Sequence, residues 1–215
     1  MTGLAKQAKT LTDTQVRALV RYAETETRFP ERNRVVVLLS FKAGLRVKEI
    51  AGLTWGMVTD AEGTLTDAIR LTNVASKGKR GGREIYLNPE LRDALVVLLE
   101  HEQKWSRTTP TRGTADGYVV TLAKGNTDLL SRARSVQFLF NGKGKQLGWY
   151  EQLGYAGATS HSGRRTFLTK ASRMIHSLGG NLKDVQRLAG HASLTTTQRY
   201  FDENEHAKAE LMKRI

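Results

Sequence analysis

Between Pro30 and Gly44 lies the segment PERNRVVVLLSFKAG, whose centre, Val35 to Phe41, is apolar at nearly every position. Proline suits a first helical position and glycine suits a helix stop, so the segment reads as one helix opening at Pro30 and ending near Gly44. A helix apolar on every face is stable only when other elements cover it. VVVLLSF is therefore expected to be buried, and the rest of the chain must supply amphipathic elements around it.

The flanking sequence does so. Thr12 and Gln15 have the spacing of a capping box, and Val16, Leu19, Val20 and Ala23 follow at helical spacing. Asn88-Pro89 is a cap followed by a first-turn proline, ahead of a stripe of Leu91, Ala94, Leu95, Leu98 and Leu99. Ser131 is the expected cap of a further helix burying Val136, Leu139 and Phe140, with Gly142 to Gly148 ending it. The segment GLRVKEIAGLTW (44–55) reads as a turn and a short helix with Val47, Ile50 and Leu53 inward and Arg46 at its start, beside Glu49. Short β-type segments around 57–59, 68–74 and 83–87 alternate with turns, and SKGKRGG (76–82) reads as a basic hairpin tip. The fold class is thus α+β, mainly α-helical, with a small antiparallel sheet or hairpin on one side. Residues 1–11 are a basic, flexible lead-in, and the loop at 105–117 divides one domain rather than two.

The densest chemistry lies in residues 159–202. His161 and Arg164 are three apart near the start of a helix, where the dipole favours an anion. Gly179-Gly180 is a strong stop. Asn181 can cap a helix carrying Leu182, Val185 and Leu188 and ended by Gly190, with His191 next and Tyr200 on a further short helical segment.

Composition narrows the partners. Lys and Arg number 34 against 21 Asp and Glu, a net charge of +13 that favours a polyanion such as nucleic acid. The absence of cysteine excludes disulfides, Cys-ligated zinc and thiol nucleophiles and suits a reducing compartment. GKGK at 142–145 lacks the spacing of a phosphate-binding loop. No apolar run has signal-peptide or bilayer length, so a cytoplasmic protein without a membrane partner is expected.

Four separated motifs, GLRVKEI with Arg46, SKGK with Lys77, HSGRR with His161 and Arg164, and LAGHASLTTTQRY with His191 and Tyr200, stand in the order found in the tyrosine recombinases, the phage integrase family. The chain resembles the catalytic domain of that family over roughly residues 12–205, and the nine-residue step from His191 to Tyr200 is the most specific part of the match.

The resemblance implies site-specific DNA recombination through a 3′-phosphotyrosyl intermediate on Tyr200. Phosphodiester cleavage accumulates negative charge on the non-bridging oxygens, which two arginines can hold with planar, multidentate donors. Arg46 and Arg164 take that part. A tyrosine hydroxyl in solution, with a pKa near 10, is only ~0.1% phenolate at pH 7, so the site must lower that pKa or supply a base. By resemblance His161 accepts the proton, His191 donates to the phosphate and can also assist, and Lys77 protonates the departing 5′-oxygen. Lys79 is the alternative, because the hairpin is slightly longer than in some relatives. The phosphotyrosyl bond conserves the phosphodiester's energy, so no cofactor and no metal is implied.

The partners implied are double-stranded DNA, a homotetramer on paired sites formed from a monomer or weak oligomer, and accessory DNA-bending proteins. Two departures stand out. Gly163 takes a place where relatives commonly have leucine, which is expected to loosen the start of its helix. The N-terminal helical domain of many relatives is absent, which fits a short-form recombinase or a gene fragment. Residues 203–215 correspond to a segment that packs on a neighbouring subunit. Two other readings are a DNA-binding regulator without turnover and a type IB topoisomerase-like strand transferase. The full set of six residues argues against the first, and His161 leans against the second.

Overall fold

A computed structural model of the chain describes residues 8–72, 82–105, 113–122 and 128–200. The chain divides into two compact units, Met1–Phe167 and Leu168–Ile215, with the division falling inside helix α7, Ser162–Met174.

The first unit is built around the apolar helix. α1 (Asp13–Thr25) opens with the expected capping box between Thr12 and Gln15 and buries Val16, Leu19, Val20 and Ala23. α2 (Pro30–Lys42) carries proline in its first turn and buries Val35, Val36, Val37, Leu38 and Leu39 completely. Each such side chain contributes about 1.5–3 kcal/mol relative to exposure. α1 and α4 (Pro89–Trp105) pack against α2. α4 buries Leu91, Ala94, Leu95, Leu98 and Leu99, and its start is held by Asn88 Oδ1 accepting from the Glu90 amide. α3 (Val47–Gly52) packs on α5 (Leu129–Asn141), and α6 (Trp149–Gln152) follows.

The strands β1 (Ala68–Leu71) and β2 (Arg83–Tyr86) pair antiparallel, with Ala68 opposite Tyr86 and Leu71 opposite Arg83. The hairpin tip that would join them, including Lys77 and Lys79, lies outside the described residues. So does the tail from 203 to 215, and most of the loop expected at 105–117.

Several expectations need correction. The segment expected as a strand at 57–59 is a 3-10 turn, Trp55–Met57, followed by an isolated bridge between Thr59 and Leu65. The Trp55 carbonyl draws the chain back on itself by accepting from the Val58 and Thr59 amides and from Thr59 Oγ1. Asp128, not Ser131, caps α5: its carboxylate accepts from the Leu130 and Ser131 amides, and a carboxylate there also complements the helix dipole. Leu139 is only half-buried, while Val136 and Phe140 are buried. Within the lead-in expected to be flexible, residues 8–11 are held. Leu11 is buried with its amide donating to Thr166 Oγ1, and the Ala8 carbonyl accepts from Arg165.

The second unit begins in α7 and continues through a 3-10 turn, Ile175–Leu178, to Gly179 in left-handed geometry. α8 (Leu182–Ala189) starts at Asn181, whose side chain accepts from the Lys183 amide, and ends at left-handed Gly190, φ 60°. α9 (Leu194–Gln198) follows, and α8 packs on it. Tyr200 lies just past the end of α9 rather than within it. Among the described residues no helix is long and apolar enough to cross a membrane.

Candidate active site

The arginines gather at the turn between α2 and α3. Gly44 there has φ +63°, a conformation glycine adopts without strain, and a Cβ on it would collide with the Phe167 ring. Its carbonyl accepts from Arg164 Nη1 at 2.7 Å, across 120 residues of sequence. Arg164 is buried in the first turn of α7. That turn approaches α2 closely because residue 163 is glycine: a Cβ there would run into the side chain of Ser40 and the ring of Phe41. The expectation that Gly163 loosens the helix start is therefore reversed. The missing side chain is what allows tight packing, and that packing brings Arg164 to Gly44.

Arg46 stands two residues after Gly44, at the N-cap of α3. Its amide donates to Glu49 Oε2 at 2.7 Å and its Nη1 to Glu49 Oε1 at 2.9 Å. Glu49 is almost wholly buried, with 1% of its side chain exposed, against 28% for Arg46. A second guanidinium holds it from the other side: Arg83 on β2 donates Nη1 to Oε1 at 2.8 Å and Nη2 to Oε2 at 3.0 Å. Burial alone would raise the Glu49 pKa. The hydrogen bonds and charge of Arg83, with the Arg46 amide and guanidinium, outweigh it and hold the carboxyl below the ordinary glutamate range. Sequence reasoning noticed Glu49 as a neighbour of Arg46 and missed Arg83. A basic residue at the start of a short strand carries no local signal that it will reach α3.

His161 immediately precedes α7 and is exposed. Its amide donates to Thr159 Oγ1, and its carbonyl accepts from the Arg165 amide, so the backbone around it is set by the helix start.

The second unit brings His191 and Tyr200 together. Left-handed Gly190 ends α8 so that the His191 amide donates to the Gln186 carbonyl at 3.1 Å, and Gln186 Nε2 donates back to the His191 carbonyl. The imidazole Nδ1 lies 3.0 Å from Thr197 Oγ1, and Thr197 is fully buried on α9. The imidazole and the Tyr200 ring stack at 5.8 Å between centroids and 19° between planes. Tyr200 is fixed through its backbone: its amide donates to the Thr197 carbonyl, and its carbonyl accepts from Ser172 Oγ at 2.6 Å. Thr197 lies in the TTT-Q run that sequence reading treated only as a motif marker, and Ser172 carried no signal at all.

Of the six residues expected at the site, Arg46 and Arg164 thus meet one turn of the first unit, with His161 three residues before Arg164. His191 and Tyr200 form a stacked pair in the second. Lys77 lies outside the described residues. Among the described residues, no three His, Asp or Glu side chains come together as a group able to hold a metal ion.

Comparison with known proteins is consistent across sequence and fold. The model of the phage integrase family matches residues 9–207. The chain is 30% identical to tyrosine recombinase XerD of Ralstonia nicotianae over 196 residues, covering 89% of this chain and 55% of that one. It is 25% identical to tyrosine recombinase XerC of Leptospira interrogans over 183 residues, covering 85% of this chain and 50% of that one. The chain spans about half the length of these curated relatives. Its fold resembles the crystal structure of XerH site-specific recombinase bound to difH substrate, with a TM-score of 0.65 at 18% identity, covering 98% of this chain and 55% of that one.

Proposed function

The chain belongs to the phage integrase family, and from that premise we propose that it is a site-specific DNA strand transferase acting in the cytoplasm, with Tyr200 as nucleophile. The Tyr200 hydroxyl oxygen attacks the scissile phosphorus and the bond to the 5′-oxygen breaks. The tyrosine proton passes to His161, and the 5′-oxygen takes a proton from Lys77, or from Lys79 in its stead. A 3′-phosphotyrosyl bond remains, and a 5′-hydroxyl from another strand reverses the step. Arg46 and Arg164 hold the charge that builds on the non-bridging oxygens, and His191 donates to the same phosphate.

The observation that carries this reading is the stacked His191–Tyr200 pair, anchored by Thr197 and Ser172. A tyrosine whose ring lies on an imidazole and whose backbone is bonded on both sides has few orientations left to lose on the way to attack. The two arginines of the first unit add to it, since each is tied to the turn at Gly44 to Arg46 through backbone atoms or a buried carboxylate. The relatives named as recombinases favour this reading over a non-catalytic regulator or a topoisomerase.

Residues 12–202 form the catalytic domain in this proposal, and residues 203–215 contact a neighbouring subunit. The partner is double-stranded DNA. Exchange between two paired sites needs two strand cuts at each, hence a homotetramer assembled on DNA from a monomer or weak oligomer, assisted by accessory DNA-bending proteins.

The test starts from sheared, end-labelled DNA spanning the flanks of the gene. Incubation with the chain should yield a denaturant-resistant protein–DNA adduct, mapped to Tyr200 by peptide sequencing and persisting in EDTA. The recovered duplex, rebuilt with a nick beside the cut so that the short strand diffuses away, should trap the adduct in high yield. An adduct that survives in Tyr200→Phe, or disappears with EDTA, overturns the mechanism.

A further inference from the structure

We propose that Arg83 is a positioning residue for Arg46: it occupies Glu49 as a bidentate counter-ion, so that Glu49 orients the Arg46 guanidinium through a single Nη1 bond and leaves the rest of its fork uncommitted to the carboxylate. The inference rests on the reading of Arg46 as a phosphate ligand.

The hydrogen-bond pattern is unequal in a telling way. Arg83 takes both carboxylate oxygens with two guanidinium nitrogens, the fork-to-fork arrangement. Arg46 donates one side-chain bond, to an oxygen it shares with Arg83, while its own backbone amide donates to the other oxygen. Glu49 is thus occupied on both oxygens from both sides, and Arg46 commits a single Nη1 to it. Arg46 is also the more exposed of the two guanidiniums, at 28% of its side chain against 11% for Arg83. Two guanidiniums around one carboxylate leave a net positive charge, and the better solvated cation is the one at the turn where Arg164 also arrives.

Removing Arg83 changes the competition for Arg46. A buried carboxylate with one remaining cation draws that cation closer, since an uncompensated buried charge is costly. Arg46 would then answer to Glu49 in place of the phosphate. Removing the carboxylate charge as well releases Arg46. The two changes should therefore compensate, which a simple loss of packing at either site would not produce.

The experiment measures single-turnover adduct formation on the nicked duplex recovered above, at saturating protein, beside duplex affinity and thermal unfolding. Arg83→Met should slow adduct formation by about ten- to a hundredfold, the weight of a hydrogen bond to a charged group. Duplex affinity should stay within about threefold, because one phosphate contact among many changes little. Arg83→Met combined with Glu49→Gln should be faster than Arg83→Met alone. A duplex with a methylphosphonate at the scissile position, one charge poorer, should shrink the gap between Arg83→Met and wild type. If Arg83→Met does not fold, Arg83→Lys, which keeps the charge and loses the fork, carries the same comparisons with a smaller defect. Wild type forming no Tyr200 adduct would overturn the functional reading and this inference together. Wild-type adduct with an unimpaired Arg83 variant, or with no gain from Glu49→Gln, or with an undiminished defect on methylphosphonate, would overturn this inference alone.

Discussion

Arg164 is held by the Gly44 carbonyl, 120 residues away, and Arg46 by Glu49, a buried carboxylate three residues on that Arg83 grips from 34 residues further along the chain, whereas His191 is held by Thr197, six residues on, and by the end of its own helix. The arginine side is charged, with Glu49 and Arg164 buried. The histidine–tyrosine side is held by hydroxyl and amide hydrogen bonds and a ring stack, with Ser172 reaching Tyr200 from further along the chain. The difference follows from what each side must do. Cations that stabilise developing charge act best when fixed before the charge appears, and fixing an arginine takes rigid acceptors from several elements. A nucleophile needs its approach defined, which short-range backbone bonds around a helix end can supply.

The largest expected effect breaks the arginine side. Arg164→Ala or Arg46→Ala should slow adduct formation by about 10²–10³-fold, the loss seen when one preorganised donor to a developing oxyanion is removed. Duplex affinity should change little by comparison. An unimpaired rate in either variant would mean that the tie to the Gly44 turn serves folding alone. Next comes Gly163→Leu, which places a side chain where Gly163 meets α2. It should destabilise the fold by about 1–3 kcal/mol, because a side chain there must displace Ser40 and Phe41 in an already filled interior. A denaturant midpoint equal to wild type would show that α7 can move away from α2 without strain.

The same contrast explains what could be read beforehand. The capping box at Thr12, the proline start of α2, the Asn181 cap and the Gly190 stop depend on neighbours within a turn, so their residue types betray them. The position of His191 just past a left-handed glycine was legible for that reason, and so was the burial of VVVLLSF. Asp128 displaced Ser131 as a cap because a carboxylate three residues earlier could reach two amides at once. Arg83 on Glu49, Arg164 on Gly44 and Leu11 on Thr166 are set by tertiary approach. No pattern within a window of residues encodes those. The reversed role of Gly163 belongs with them, since the value of an absent side chain depends on what stands opposite it.

A smaller effect tests the histidine side. Thr197→Val keeps the shape of a buried side chain but removes the partner of His191 Nδ1. Adduct formation should slow by about three- to tenfold, the range of a single neutral hydrogen bond, and Thr197→Ser should restore most of it. A hundredfold loss would place this side on a par with the arginines and erase the contrast.

The smallest effect separates the two sides by pH. The Glu49 carboxyl is buried, yet bonding to Arg83 and Arg46 holds its folded-state pKa below the unfolded value of about 4.3. Its ion pairs therefore add stability that is fully present above the unfolded value and is lost as pH falls through the folded one. Thermal unfolding followed from about pH 6 down toward pH 3 should lose stability more steeply in wild type than in Glu49→Gln, which has no proton to take up. Thr197→Val should keep the wild-type slope, because its hydroxyl does not titrate in that range. Parallel slopes for wild type and Glu49→Gln would mean that the carboxylate is not the charge on which the arginine side is organised.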